Sequence, residues 1–386
     1  MNISPQINLD SFEELITSYR HTPSGTLRIP SGLLYGGGIG LEASVFLAIT
    51  TWANSEFHRT LKLWVAGAEV GPHLNSVMRT LYGVSASYLA GTVEDKQSMP
   101  LEKKYVLGHA TAMMNDMYRG KYSELLHGPT INLFCVRRAE NEFLRGLYSK
   151  DLDGAVRERW EFEKLAERLL ALCVPESVTT HARSRLAKPI GEVAYELFKN
   201  TDQHSLYDAQ GNNYRKHIRG LTIRFRKIAK NEVPRISGTS PITSPYFARL
   251  ALSNEQKPTL SILELSVFDS GPGMARRWLS HQAGTPVSDL DSLDIGLEFE
   301  AIKNCFLAHS STKATESSGE GLDLVTKLLW KYDGFLRVRT GRLCLFQSFN
   351  AKRDYPGFAP GHWFRRQALG CVEGTAVTVC LPLPTD

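Results

Sequence analysis

The run Leu263-Glu-Leu-Ser-Val-Phe268 alternates apolar and polar residues and then stops at Asp269-Ser-Gly-Pro-Gly273. Alternation of period two is the pattern of a half-buried strand, and Gly and Pro together end it in a tight turn. A strand that finishes in a carboxylate and a glycine turn therefore anchors the carboxyl-terminal half of this chain. Three other segments gather around it. In Glu196-Leu-Phe-Lys-Asn200 the Glu and the Asn are four apart, which on a helix places both on one face. The stretch Ser317-Ser-Gly-Glu-Gly-Leu-Asp-Leu-Val325 sets small residues ahead of a helical pattern of Leu322, Leu324, Val325, Leu328 and Leu329. A glycine-rich turn opening a helix leaves backbone N–H groups free, which suits a phosphate and equally suits an ordinary helix start. Gly374-Thr375 precedes the alternating Val377, Val379 and Leu381 and reads as the entry to a last strand. Singly, each segment has a plain reading: solvated polar residues on a helix, a turn, a helix start, a strand.

In this order the four segments resemble the GHKL ATPase domain shared by DNA gyrase, the heat-shock chaperones, histidine kinases and MutL, over roughly residues 180 to 386. The resemblance implies an α+β fold. Its carboxyl-terminal part would be a GHKL α/β sandwich, a mixed sheet with helices on one face, preceded by a smaller α/β domain. It implies ATP and Mg²⁺ as cofactors and a slow ATP hydrolase as the activity. Glu196 matches the general base that polarises the attacking water, and Asn200 the amide oxygen that helps hold Mg²⁺, an ion that prefers oxygen ligands. Asp269 matches the acceptor of the adenine amino group. Gly271 and Gly273 match positions where a side chain would collide with the nucleotide. Gly319, Gly321 and Leu322 match the second glycine box, whose amides face the phosphates, and Thr375 the hydroxyl that bonds adenine. Residues 274–318 correspond to the ATP lid. Within it His309-Ser-Ser-Thr-Lys313 offers Lys313 as a γ-phosphate contact.

Two departures bear on turnover. Asp323 stands where the family usually has a third glycine, and a carboxylate there repels phosphate unless it points away. The interval from Asn200 to Asp269, 69 positions, is long for the family and calls for an inserted hairpin or loop.

The whole chain, 386 residues with 42% hydrophobic and 22% charged, is long enough for two domains. Three parts are expected: an α/β domain over 1–150, an amphipathic connecting helix and linker over 151–178, and the ATP-binding domain over 179–386. The connecting pattern, Ala155, Trp160, Phe162, Leu165, Leu169 and Leu170, ends at Val174-Pro175 and could relay lid motion or form a homodimer seam. No apolar stretch reaches the about 18 residues of a membrane span, and Met-Asn-Ile-Ser-Pro lacks the regions of a signal peptide, so a cytoplasmic protein without a membrane partner is expected. Six irregularly spaced cysteines fit reduced thiols, with Cys135 and Cys173 in the core, and no zinc spacing is present.

The net charge of +5 is modest, but the cations cluster over 215–230. Ile223, Phe225 and Ile228 alternate there with Arg224 and Arg226, as in a strand with one basic face. That face reads as a solvated edge strand, or else as a surface for nucleic acid or another acidic partner. Trp363-Phe-Arg-Arg366 mixes aromatic and basic residues, as a loop tucked under its own aromatics or a partner surface does. In the first domain, Gly38-Ile-Gly40 ahead of a helical run from Leu41 to Trp52 and a strand at Thr60–Val65 formally fits a dinucleotide fingerprint. It also fits a glycine turn that lets a helix pack closely. A second helix is expected over Leu107–Asp116.

The resulting expectation is an ATPase whose nucleotide state controls the amino-terminal domain or an unidentified protein partner. Two alternatives share the motifs: a serine protein kinase resembling bacterial anti-sigma factors, and a sensor that binds ATP without hydrolysing it. Autokinase activity is disfavoured, because no His lies between His127 and His181 and His109 is followed by Ala-Thr-Ala.

Overall fold

The alternation around Asp269 does build a strand, and that strand is flanked on both sides by partners of equal length. In the computed structural model, which describes residues 1–34, 38–149, 154–176, 178, 180–233, 243–252, 258–287, 289–307, 321–365 and 368–383, the chain is α+β. It opens with α1 (Leu9–His21), β1 (Thr26–Leu27), α2 (Leu41–Ala53), β2 (Thr60–Lys62), α3 (Val70–Val77), α4 (Leu81–Leu89), β3 (Thr92–Glu94) and β4 (Pro100–Leu101). Next come α5 (Lys103–Gly108), α6 (Thr111–Arg119), β5 (Thr130–Val136), α7 (Arg159–Cys173), α8 (Thr180–His204), β6 (Ile218–Ala229) and α9 (Thr243–Leu252). The remainder is β7 (Thr259–Asp269), α10 (Met274–Ala283), α11 (Ile295–Cys305), α12 (Gly321–Lys331), β8 (Phe335–Gly341), β9 (Leu343–Ser348), β10 (Gly361–His362) and β11 (Val372–Pro382).

Seven strands form one sheet in the order β10-β9-β8-β11-β7-β6-β5. Every pairing in it is antiparallel, which corrects the expected mixed sheet. The mixed sheet is the small one, β1-β2-β3-β4, parallel across its first three strands and antiparallel at the last. Residues 130–136, counted with the first domain in the sequence, supply β5 to the large sheet, where it pairs with β6.

Because side chains alternate along a strand, β7 faces two ways. Leu263, Leu265, Val267 and Asp269 project to the face covered by α7, α8 and α12, while Glu264, Ser266 and Phe268 project to the face covered by α2. The large sheet thus carries helices on both faces, not on one. β7 and β11 are buried along almost their whole length although β7 alternates, so the half-buried strand expected from that alternation is covered on both faces, and its second-face polar groups are paired, Glu264 with Gly40 and Arg226 and Ser266 with Thr378.

The long helix α8 presents Leu186, Ile190, Val193, Leu197 and Phe198 inward. Gly191 lets it cross α7 at close range, since a Cβ there would lie 2.5 Å from the Glu163 Cα. On the opposite face α2 is buried all round, as a helix between two layers must be, and Phe46 meets Phe268 at 4.7 Å between ring centroids. Gly40 starts α2 in the left-handed region, φ 75°, and a Cβ would come within 2.5 Å of Thr378 Oγ1. Its N–H donates to Glu264 Oε1 at 3.1 Å. The glycine turn therefore serves close packing of helix on sheet.

Charged pairs stitch this second layer to the sheet. Arg339 donates to both carboxylate oxygens of Glu13 at 2.8 and 2.9 Å, and Arg226, paired within the sheet with Glu264 at 2.6 Å, also donates to the Gly38 carbonyl at 2.8 Å.

Other expectations shift at their ends. The helix expected over Leu107–Asp116 is broken between α5 and α6, and the connecting helix begins at Arg159 instead of 151. The long interval before Asp269 holds a turn closed by the Tyr207–Asn213 bridge and also a helix, α9. The basic run lies mainly inside. Its strand β6 is interior, Arg219 is fully buried, and Lys216 donates to the carbonyls of Tyr88 and Ala90, leaving Arg215 and Lys227 exposed. Trp363 is buried beneath its loop, with the Arg337 guanidinium over its ring. All six cysteines are free thiols. Among the described residues no helix is long and apolar enough to cross a membrane.

Candidate functional site

Helix α8 is the spine on which the sequence-predicted residues meet. Glu196 sits on its inner face, buried, with its carboxylate ion-paired to Arg159 at the start of α7. Oε2 of Glu196 lies against the first residue of α12, so that a Cβ on Gly321 would collide with it. A carboxylate thus faces the amino-terminal end of a helix, where backbone N–H groups are unsatisfied by the helix itself. Asn200 follows one turn later, half-buried, and no described residue bonds its side-chain amide. Just past the end of α8, Ser205 packs against Gly271, where a Cβ would stand 2.6 Å from the Ser205 Cβ. Nine residues of helix from Glu196 to Ser205 span about 14 Å at the α-helical rise, the scale of an extended nucleoside triphosphate.

At that second end Asp269 closes β7. Its Oδ1 accepts the Gly271 N–H at 2.8 Å, and no described residue donates to Oδ2. Burial pushes this carboxyl up to about 7, with the Gly271 hydrogen bond pulling the other way. Asp269 is in register with Thr375 on β11 and with Arg219 on β6. The Thr375 hydroxyl lies 3.3 Å from that of Thr340, which also accepts the Met274 N–H at 3.1 Å and donates to the Gly374 carbonyl at 3.1 Å. Gly273 adopts φ 88°, and a Cβ there would meet Thr340 Oγ1 at 2.9 Å. Both glycines of the turn therefore have a cause inside the protein itself: Gly271 admits α8 and Gly273 admits β8.

Arg219, behind Asp269, belongs to a buried polar cluster. It donates to the Tyr148 hydroxyl at 2.8 Å and pairs with Asp202 at 3.2 Å and Glu142 at 3.4 Å, while Tyr148 donates to Asp202 at 2.6 Å. This cluster ties β6 to α8 between the two ends of the site.

Asp323, the residue in the third glycine's place, has both carboxylate oxygens engaged. Its carboxylate pairs with Lys327 at 2.6 Å and accepts the Tyr355 hydroxyl at 3.1 Å. Leu322, beside it, is half-buried on the first turn of α12. Of the expected lid, α10 and α11 are described. Glu298 of α11 accepts from the Arg342 backbone and guanidinium at 2.7 and 2.8 Å, which pins that helix to the turn between β8 and β9. His309, Lys313 and Gly319 lie outside the described residues.

The structure thus brings Glu196 and Gly321 together in the last third of α8, and Asp269, Gly271, Gly273 and Thr375 near its carboxyl-terminal end, with Asn200 between. Sequence reasoning missed Arg159, Ser205, Thr340 and Tyr355. None had a local signal, because each reaches the site across a tertiary contact, as Arg159 does over 37 positions. Among the described residues no cluster of three or more His, Cys, Asp or Glu is arranged to hold a metal ion. A lone amide such as Asn200 fits an ion whose other oxygens come from phosphates and water.

No protein-family model, no curated protein and no solved structure matches this chain.

Proposed function

We propose that residues 180–386 are a GHKL-type domain that binds Mg-ATP along α8 and hydrolyses it slowly. The observation that carries this reading is the span of α8. The last turns of one helix hold a buried carboxylate against the start of α12 and, just past the helix end, a carboxylate-bearing glycine turn.

In this reading the adenine amino group donates to Asp269 Oδ2, with the Thr375 hydroxyl beside it, and the phosphates reach the amino-terminal end of α12. Mg²⁺ would be held by the Asn200 oxygen together with phosphate and water oxygens, and would neutralise charge on the phosphates. Glu196 takes a proton from water as the water oxygen bonds to the γ-phosphorus. The bond from that phosphorus to the bridging oxygen breaks, and ADP leaves with the electron pair. Asp323 is engaged by Lys327 and Tyr355. The expected products are ADP and phosphate, and Glu196→Ala should retain ATP while phosphate release, followed by a coupled colorimetric assay, falls at least about 100-fold, within the range that general-base removal costs. Unchanged release in that variant removes Glu196 from the role of base.

One observation favours a second reading, a sensor that binds ATP without turnover. Arg159 engages the carboxylate that hydrolysis needs free. Long incubation of stoichiometric ATP with the protein separates the two: intact ATP supports the sensor, ADP the hydrolase.

A further inference from the structure

On the α2 face of the large sheet, opposite to Asp269, a cleft opens between the amino-terminal layer and strands β5 and β6. It is a shallow cleft with a cavity volume of about 40 Å³, open to solvent, and Leu33, Leu34 and Leu41 line it on one side. Three guanidiniums, of Arg79, Arg224 and Arg226, line the same cleft.

Their commitments differ. Arg226 is held by Glu264 at 2.6 Å and by the Gly38 carbonyl at 2.8 Å, so its charge is matched. Arg224 donates to Thr130 Oγ1 at 2.7 Å and stands 3.7 Å from Glu42, whose other oxygen accepts the Asn132 amide at 2.9 Å. Arg79 is exposed, its guanidinium donates to the Glu124 carbonyl at 3.2 Å, and it has no carboxylate partner among the described residues. Arg79 is thus the one of these three guanidiniums without a carboxylate among the described residues, beside the leucines. A guanidinium without a carboxylate at the mouth of a half-apolar cleft is complementary to an anion that carries a hydrocarbon group.

We propose that this cleft is a binding site for a small amphipathic anion, a phosphate ester or carboxylate with a short apolar tail, its head on Arg79 and Arg224 and its tail on Leu33, Leu34 and Leu41. The site is separate from α8 and does not depend on ATP.

The test uses the full chain with 8-anilinonaphthalene-1-sulfonate as a fluorescent amphipathic anion, displaced by hexyl phosphate, hexanoate or hexylamine. Saturable fluorescence is expected, displaced by the two anions and not by the amine. The stronger competitor of the two identifies the head group. Arg79→Ala, a substitution at an exposed residue, should weaken hexyl phosphate about tenfold, the scale of losing one charge-assisted hydrogen bond, and Arg79→Glu should abolish its binding. Thermal midpoints equal to the wild type would confirm that both variants fold. Equal probe affinity in wild type and Arg79→Glu, or displacement by hexylamine as good as by hexyl phosphate, would overturn the proposal.

Discussion

At the scale of single residues, Asp269 carries two consequences of being a buried carboxylate. Its folded value, about 7, is raised above the about 4 of an exposed Asp, so between these limits the native state binds the extra proton and the unfolded chain does not. The stability this gives is present below about pH 4 and is lost as pH rises through about 7. The ligand-free protein should therefore lose urea resistance over that interval, and Asp269→Asn, which keeps the shape without the charge, should flatten the loss. A parallel decline in both proteins would place the titration elsewhere. ATP affinity should run the opposite way. An ionised carboxylate accepts an amino group's hydrogen bond more strongly than the protonated acid, so calorimetric affinity should weaken as pH falls below about 7 in the wild type. Asp323 shows the complementary lesson: a carboxylate that the sequence sets in a glycine's place is engaged by Lys327 and Tyr355.

At the scale of elements, the strand ending at Asp269 and the last strand after Thr375 were legible from their alternation, while the helix carrying Glu196 rested on the spacing of Glu196 and Asn200 and on the resemblance. What was not legible lies in how elements meet. A local pattern gives no signal that Arg224 and Arg226 face α2, because an alternating basic strand looks the same at an edge and in the interior. Nor does the Leu107–Asp116 pattern reveal the break between α5 and α6. The glycines of the Asp269 turn could be assigned to a nucleotide or to packing until the contacts with Ser205 and Thr340 were seen. The α7–α8 crossing makes a direct prediction. Gly191→Ala must push Glu163 aside, backbone against side chain, and should cost about 1–3 kcal/mol in urea denaturation despite alanine's better helix propensity. Neutral or raised stability would mean that the two helices separate freely.

Taken as a whole, the seven-stranded sheet lies between two helical layers, α7, α8 and α12 on one face and α1 and α2 on the other. The first contains the α8 site; the second joins the amino-terminal half to the same strands through Glu13, Arg339, Glu264 and Arg226. A buried ion pair adds little over an apolar pair, yet removing one partner strands the other. Glu13→Ala leaves Arg339 fully buried without its carboxylate and should cost about 3–5 kcal/mol of folding stability, read as a lower urea midpoint. A shift under about 1 kcal/mol would show that the carbonyls of Gly341 and Gly370, which Arg339 also bonds, suffice. The central claim, that α8 and the Asp269 turn hold ATP, is tested most directly by titrating Mg-ATP and Mg-GTP into the wild type and Asp269→Ala in a calorimeter. Adenine offers an amino donor where guanine offers a carbonyl acceptor, so a carboxylate at Asp269 discriminates between them. One ATP should bind per chain, GTP should bind far more weakly, and Asp269→Ala should lose the ATP heat while keeping its fold. Absence of ATP binding by the wild type, or equal binding of ATP by both proteins, would contradict the account.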